Sequence, residues 1–327
     1  NRRHLWRAQL ERRDYEVKVF IIYAGVKDEL RGWPDNRSLA LQRVAGSNVL
    51  GHLLNQMRGV HLDGLVLAVD KDKEAIEAWI ANKIPEIEVD VIAIAPGSSQ
   101  LQALAECRKH FDKGPLLVVP GNIIVEADYR SLDQSVADVI LFTRPQQQAI
   151  SVAADAQEEA GPPWAVCSYF RRETDLRAAL DRAPAEAMSF SSLLNDLQNR
   201  DLHVEKRPAM ICLNTSTIDG LLLATALLLG QGYGSDDAIE RSYVEDFTVI
   251  PPVFLHETAV IENAVVGPFA NIEAGARISN SVISNSLIGA ESTIENAVLD
   301  GSLVGSRAHV QDSGTALIVE DDRKLLL

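Results

Sequence analysis

Cysteine is scarce in this sequence: Cys107, Cys167 and Cys212 among 327 residues. They are odd in number, far apart and form no C-x-x-C pair. That argues against a disulfide framework or a zinc site and for reduced, buried thiols in a cytoplasmic protein. Long apolar runs are missing as well. The longest, Leu221 to Leu229, is well short of the roughly 20 residues that a bilayer helix needs, and no signal peptide is visible near Asn1. Positive charge is outweighed: 31 basic against 46 acidic residues give a net charge of −15. A whole-protein basic footprint for nucleic acid is thereby excluded, and the acidic surface reads as solubility. What the chain does have is apolar material, 46% of it, enough for one large core or two ordinary ones.

Three textures follow one another. Residues 1–16 carry Arg2, Arg3, His4, Arg7, Arg12 and Arg13 among Leu5, Trp6 and Leu10, which reads as a basic helix, either solvated or docking a partner. From Val17, short apolar β-branched runs alternate with helical spacing. Strands are expected at 17–23, 65–69, 89–94, 116–119 and 139–142. Helices are expected over 47–57 behind Ser47, over 72–82, and from a Ser98 or Ser99 cap to about Phe111. Continuous apolar strands separated by helices predict βαβ units and a mostly parallel sheet covered on both faces. Ser216 and Asp219 make a capping-box-like start to a Leu-rich helix that stops at Gly230.

Beyond Ile250 the helical period disappears. Aliphatics recur every five or six residues at Ile261, Val266, Ile272, Ile278, Ile283, Ile288, Ile294, Leu299, Val304 and Val310. Every third member shares one face: 261, 278, 294 and 310. Three short strands per coil, each sending one aliphatic inward, make a triangular solenoid. Small residues at the turns, Gly267, Gly275, Gly289, Gly301 and Gly305 with many Ser, Asn and Ala, suit tight corners.

The segment Ala24 to His52, AGVKDELRGWPDNRSLALQRVAGSNVLGH, resembles the opening signature of sugar-1-phosphate nucleotidylyltransferases of the glucose-1-phosphate thymidylyltransferase type. Their form is A-G-x-G-T-R-L-x-P, then P-K-P-L, then V-x-G-x-P-L-x-x-H. Gly97-Ser98-Ser99 stands where that family has G-T-A. Pro120-Gly121-Asn122 stands where it has a strand ending in G-D, and Leu213-Asn214-Thr-Ser-Thr217 stands for L-D-x-G-T. The resemblance implies a Rossmann-like mixed, mostly parallel nucleotidyltransferase domain at 17–235. After it, over 236–327, it implies a linker and a left-handed β-helix of hexapeptide repeats; the handedness comes from the resemblance alone.

The family reaction sets a sugar 1-phosphate against the α-phosphate of a nucleoside triphosphate, and pyrophosphate leaves. Both reactants are anions, so positioning and charge neutralisation carry the catalysis. By resemblance, Ala24, Gly25, Lys27, Gly97 and Ser98 occupy nucleotide-binding positions. The catalytic positions are degenerate: the family arginine is Glu29 and the family lysine is Leu39. The two magnesium aspartates are Asn122 and Asn214. Exchanging Arg for Glu beside a triphosphate swings local charge by two units, each about 4 kcal/mol at 4 Å and an effective dielectric of about 20. Magnesium sites normally rely on one or two carboxylates, and Asn is neutral. The expected protein is therefore a pseudoenzyme relative that serves in nucleotide-sugar binding, regulation or assembly. It is expected to need no cofactor, to form homo-oligomers or pair with an active paralogue, and to use neither nucleic acid nor membrane. The competing reading is an active transferase that uses Mg2+ and substitutes Lys27, Arg31, Arg37 or Arg43 for the lost cations. A β-helix acyltransferase using His256 or His309 is a third.

Overall fold

The computed structural model describes residues 16–24, 37–58, 60–85, 87–145, 165–182, 190–197, 200–234, 238–240, 247–312, 314 and 316–326. The basic segment expected at 1–16 lies outside them, Glu16 apart. The chain divides into two compact units. The strand from Val17, residues 38–40 and residues 50–212 belong to the first; Arg37, residues 41–49 and the chain from Leu213 belong to the second. Among the described residues no helix is long and apolar enough to cross a membrane.

The first unit is a seven-stranded sheet covered by helices. Its strands are β1 (Val17–Tyr23), β2 (Leu62–Val69), β3 (Val89–Ala93), β4 (Leu116–Pro120), β5 (Val139–Thr143), β6 (Ala165–Phe170) and β7 (Val204–Pro208), in the spatial order β7-β5-β6-β4-β1-β2-β3. β1 runs parallel to both β2 and β4, β3 parallel to β2, and β7 parallel to β5. Only β6 is antiparallel to its neighbours, β4 and β5. The sheet is thus the mixed, mostly parallel one expected. Phe20 and Ile22 of β1 pack with Val66, Val118 and Leu141 against Leu101 and Leu104 of helix Gln100–Glu106. The five strands with continuous apolar runs were legible. β6 mixes Cys167 and Ser168 into its run, and β7 alternates charge because it is an exposed edge, where charge blunts further pairing.

Local chemistry corrects two expected caps. Ser47 does not cap a helix. Ser47–Asn48 pairs antiparallel with Arg43–Val44 across Ala45 and Gly46, whose φ of 45° and 78° fit a tight hairpin turn. The helix begins at Val49. Similarly, Thr217 rather than Ser216 caps the Leu-rich helix Ile218–Gly230, its side chain accepting from Gly220 N.

The second unit carries the solenoid. Three sheets of short parallel strands stack coil on coil. Ile261, Ile278, Ile294 and Val310 pair in register down one sheet. Ile272, Ile288, Val304 and Val319 pair down the second. Val266, Ile283 and Leu299 pair down the third. All eleven are buried in one core. Gly267, Gly275 and Gly301 take positive φ at the corners, at 108°, 67° and 62°. Asn263, Asn280, Asn296 and Asp312 hold one column of left-handed turns, with φ between 47° and 55°. Their short polar side chains tolerate that conformation. Gly289 serves a different need: a Cβ there would lie 2.6 Å from the Gly305 backbone of the next coil. Buried serines extend the ladder past the strands, with Ser286 Oγ accepting from Ser302 N and Ser302 Oγ from Leu317 N.

Candidate functional site

In a parallel sheet the place for chemistry is the carboxyl edge, beside the strand where connections diverge on both sides. Here that strand is β1. Ala24 follows it, buried; Gly121 and Asn122 follow its neighbour β4, and Gly97 and Ser98 follow β3. The fold therefore brings Ala24, Gly97, Ser98 and Asn122 to one edge of one sheet. Gly25, Lys27 and Glu29 lie outside the described residues, as does Arg31.

The edge is built from tight backbone packing. Gly121 N donates to Ile22 O at 2.8 Å, and a Cβ on Gly121 would lie 2.4 Å from the Tyr23 ring. Tyr23 is buried, its hydroxyl has no hydrogen-bond partner among the described residues, and burial holds its ionisation far above the ordinary tyrosine range. Sequence reading passed over Tyr23 because it looks like the last member of an apolar run. On the β3 side, Gly97 takes φ +81° with open space where a Cβ would stand. Ser99 then closes a reciprocal cap: its Oγ accepts from Gln102 N at 3.2 Å, and its own N donates to Gln102 Oε1 at 2.7 Å.

Leu39 and Asn214, which the resemblance marks as altered positions, are held in local structure. Leu39 sits buried in a short 3-10 turn. The turn is anchored by Ser38 N donating to Asp72 Oδ2. In the second unit, Asn214 Oδ1 accepts from Ser216 N at 2.9 Å and from Ser216 Oγ at 2.6 Å. This turn leads into the helix that Thr217 caps. Gly220 is obligatory there, because a Cβ on it would lie 2.3 Å from Asn214 O. Arg43 is also spoken for: its Nε donates to Glu273 Oε2 at 2.9 Å and its Nη2 to Gly46 O at 3.3 Å.

Asn122 and Asn214, the described residues that the resemblance marks for a metal, are a poor fit to magnesium: both amides are neutral, and the Asn214 oxygen already accepts two hydrogen bonds from Ser216. Among the described residues no group of three His, Cys, Asp or Glu side chains is placed to hold a metal ion. The thiols offer no nucleophile either: burial pushes Cys107 and Cys167 up to about 12 and raises Cys212. His256 Nδ1 lies 2.9 Å from Thr258 Oγ1 on the solenoid.

No protein-family model matches the chain, and no curated protein is similar to it in sequence. Solved structures do share the fold of a large part of it. One is a Bacillus anthracis protein assigned as a glucose-1-phosphate thymidylyltransferase and solved in complex with sucrose. It superposes with a TM-score of 0.53 at 13% identity, over 64% of this chain and 94% of that one. At that identity the likeness is one of fold.

Proposed function

We propose that this chain is a nucleotidyltransferase-like protein that has given up sugar-1-phosphate nucleotidyl transfer and is kept for binding a nucleotide or nucleotide sugar, for regulation, or for assembly. The observation that carries the reading is Asn214: at the position where the family holds a magnesium carboxylate, its Oδ1 is fixed by two hydrogen bonds from Ser216. Leu39, buried in the core, supports it from the first unit. The fold shared with an assigned glucose-1-phosphate thymidylyltransferase supplies the substrate class. Ala24, Gly97 and Ser98 share the carboxyl edge of one sheet, which supports binding over a bare scaffold. Its partner in assembly is a second copy or an active paralogue.

Pyrophosphate release, measured across nucleoside triphosphates and sugar 1-phosphates with magnesium, is expected to stay at the uncatalysed rate. Turnover of the order of 1 s⁻¹, ordinary for an enzyme, would overturn the reading. A thermal-shift series with nucleotides and nucleotide sugars then separates sensor from scaffold. A ligand at 100 times its Kd stabilises by about 2.7 kcal/mol, and no shift with any ligand assigns the scaffold role.

A further inference from the structure

Within the second unit the segment around Arg43 faces the outer side of one solenoid sheet across a cavity of about 150 Å³. Its polar wall carries Arg37, Arg43, Glu273 and Asp321, and its apolar floor includes Leu287 and Leu303. These two leucines pair in register on the outward side of the sheet yet are 6% and 2% exposed. Two guanidiniums and two carboxylates give the wall a formal charge of zero. The Arg43–Glu273 pair is made at 2.9 Å, and Asn271 Nδ2 donates to the other oxygen of Glu273, also at 2.9 Å. Asp321 Oδ1 accepts from Ser306 N.

We propose that this cavity is a binding site for a neutral monosaccharide. An anion entering here meets the Glu273 and Asp321 carboxylates beside the two guanidiniums, so it gains no net attraction from the wall. Were it to draw Arg43 off Glu273, it would leave a carboxylate on a residue only 7% exposed without its counter-charge, a costly arrangement. A zwitterion finds the Arg43–Glu273 pair already made between the groups its charges would seek. A hydroxyl meets no such obstacle: it donates to a carboxylate lone pair while accepting from a guanidinium N–H, so vicinal hydroxyls span the wall with the ion pair intact. The aliphatic floor suits the C–H face of a pyranose ring, and the volume admits one ring.

The test uses the full chain, titrated by saturation-transfer NMR and calorimetry with D-glucose, D-galactose and D-mannose. Inorganic phosphate, glucose 1-phosphate and glycine are run beside them. Saturable binding of one neutral sugar in the millimolar range is expected, at least tenfold tighter than glycine or either phosphate. Ala290→Trp, which fills the cavity from a half-buried rim position, is expected to abolish it. Asp321→Asn, a gentler change, is expected to weaken it about tenfold with an unchanged Tm and carries the test if the tryptophan variant fails to fold. Three outcomes would each overturn the proposal: no saturable neutral-sugar signal, binding unaltered in a folded cavity variant, or tighter binding of phosphate or amino acid.

Discussion

Single side chains in this protein show how far their chemistry is set by burial. Cys107 and Cys167 are buried thiols whose ionisation burial pushes up to about 12. A folded value above the unfolded one means stability that is full below pH 9 and lost as pH rises toward 12. Each thiol contributes up to about 1.4 kcal/mol per pH unit in that window. Denaturant midpoints measured between pH 8 and 11 are expected to fall, and to fall less in a Cys107→Ala, Cys167→Ala double variant compared with its own value at pH 8. A thiol reagent at pH 8 is expected to label no cysteine in the native state and three after denaturation. Glu273 is the second case. Arg43→Ala removes its counter-charge, and because Arg43 is itself 38% exposed the expected loss is about 2 kcal/mol, below the roughly 3–5 kcal/mol of a fully buried pair. Chemical denaturation checks it, with Lys73→Ala, which breaks an exposed pair to Glu77, as the near-neutral control. The cysteines' burial was readable from residue type. The Arg43–Glu273 pair was not, because nothing in sequence links positions 230 residues apart.

At the level of elements, periodicity decided what could be read. Inward aliphatics 16 or 17 residues apart made the solenoid's register legible from Ile261 to Val310, since a one-residue slip would turn the whole set outward. Ile294→Ala, in the middle of the stack and fully buried, is expected to cost about 2–5 kcal/mol. The same change at Val298, 57% exposed on the outer face, is expected to cost less than 0.5 kcal/mol. Tm measurements on the two variants compare them directly. The serine cap on the helix at Val49 misled because Ala45 and Gly46 turn the chain first, and Ser47 is spent in the hairpin. β6 was missed because a strand between two others can bury Ser168 and Cys167 without an apolar run. The candidate site was legible only as positions: Asn122 and Asn214 were marked by resemblance, but the commitment of Asn214 to Ser216 is a matter of three-dimensional geometry.

For the whole molecule, a like fold needs little like sequence: 13% identity accompanies a superposition over 64% of this chain. A core tolerates extensive hydrophobic exchange when volume and pattern are kept, whereas reversing a charge beside a phosphate costs several kcal/mol. On the proposed reading, one restored charge does not bring nucleotidyl transfer. In Asn214→Asp, the Ser216 hydrogen bonds are expected to persist with the carboxylate as acceptor. Pyrophosphate release is expected to remain at background, checked by the same assay as the parent chain.

The hairpin at 43–48 leaves the ribosome early but finds its partners late. Gly46 N donates to Asn271 Oδ1 across 225 residues, and Arg43 meets Glu273 across 230. At synthesis rates of roughly 5–20 residues per second, that hairpin waits about 10–50 s, with its turn glycine and its arginine unmet, before the coil that receives them has been made. During translation these two donors are therefore without their native acceptors until the solenoid coil carrying Asn271 and Glu273 ends the wait.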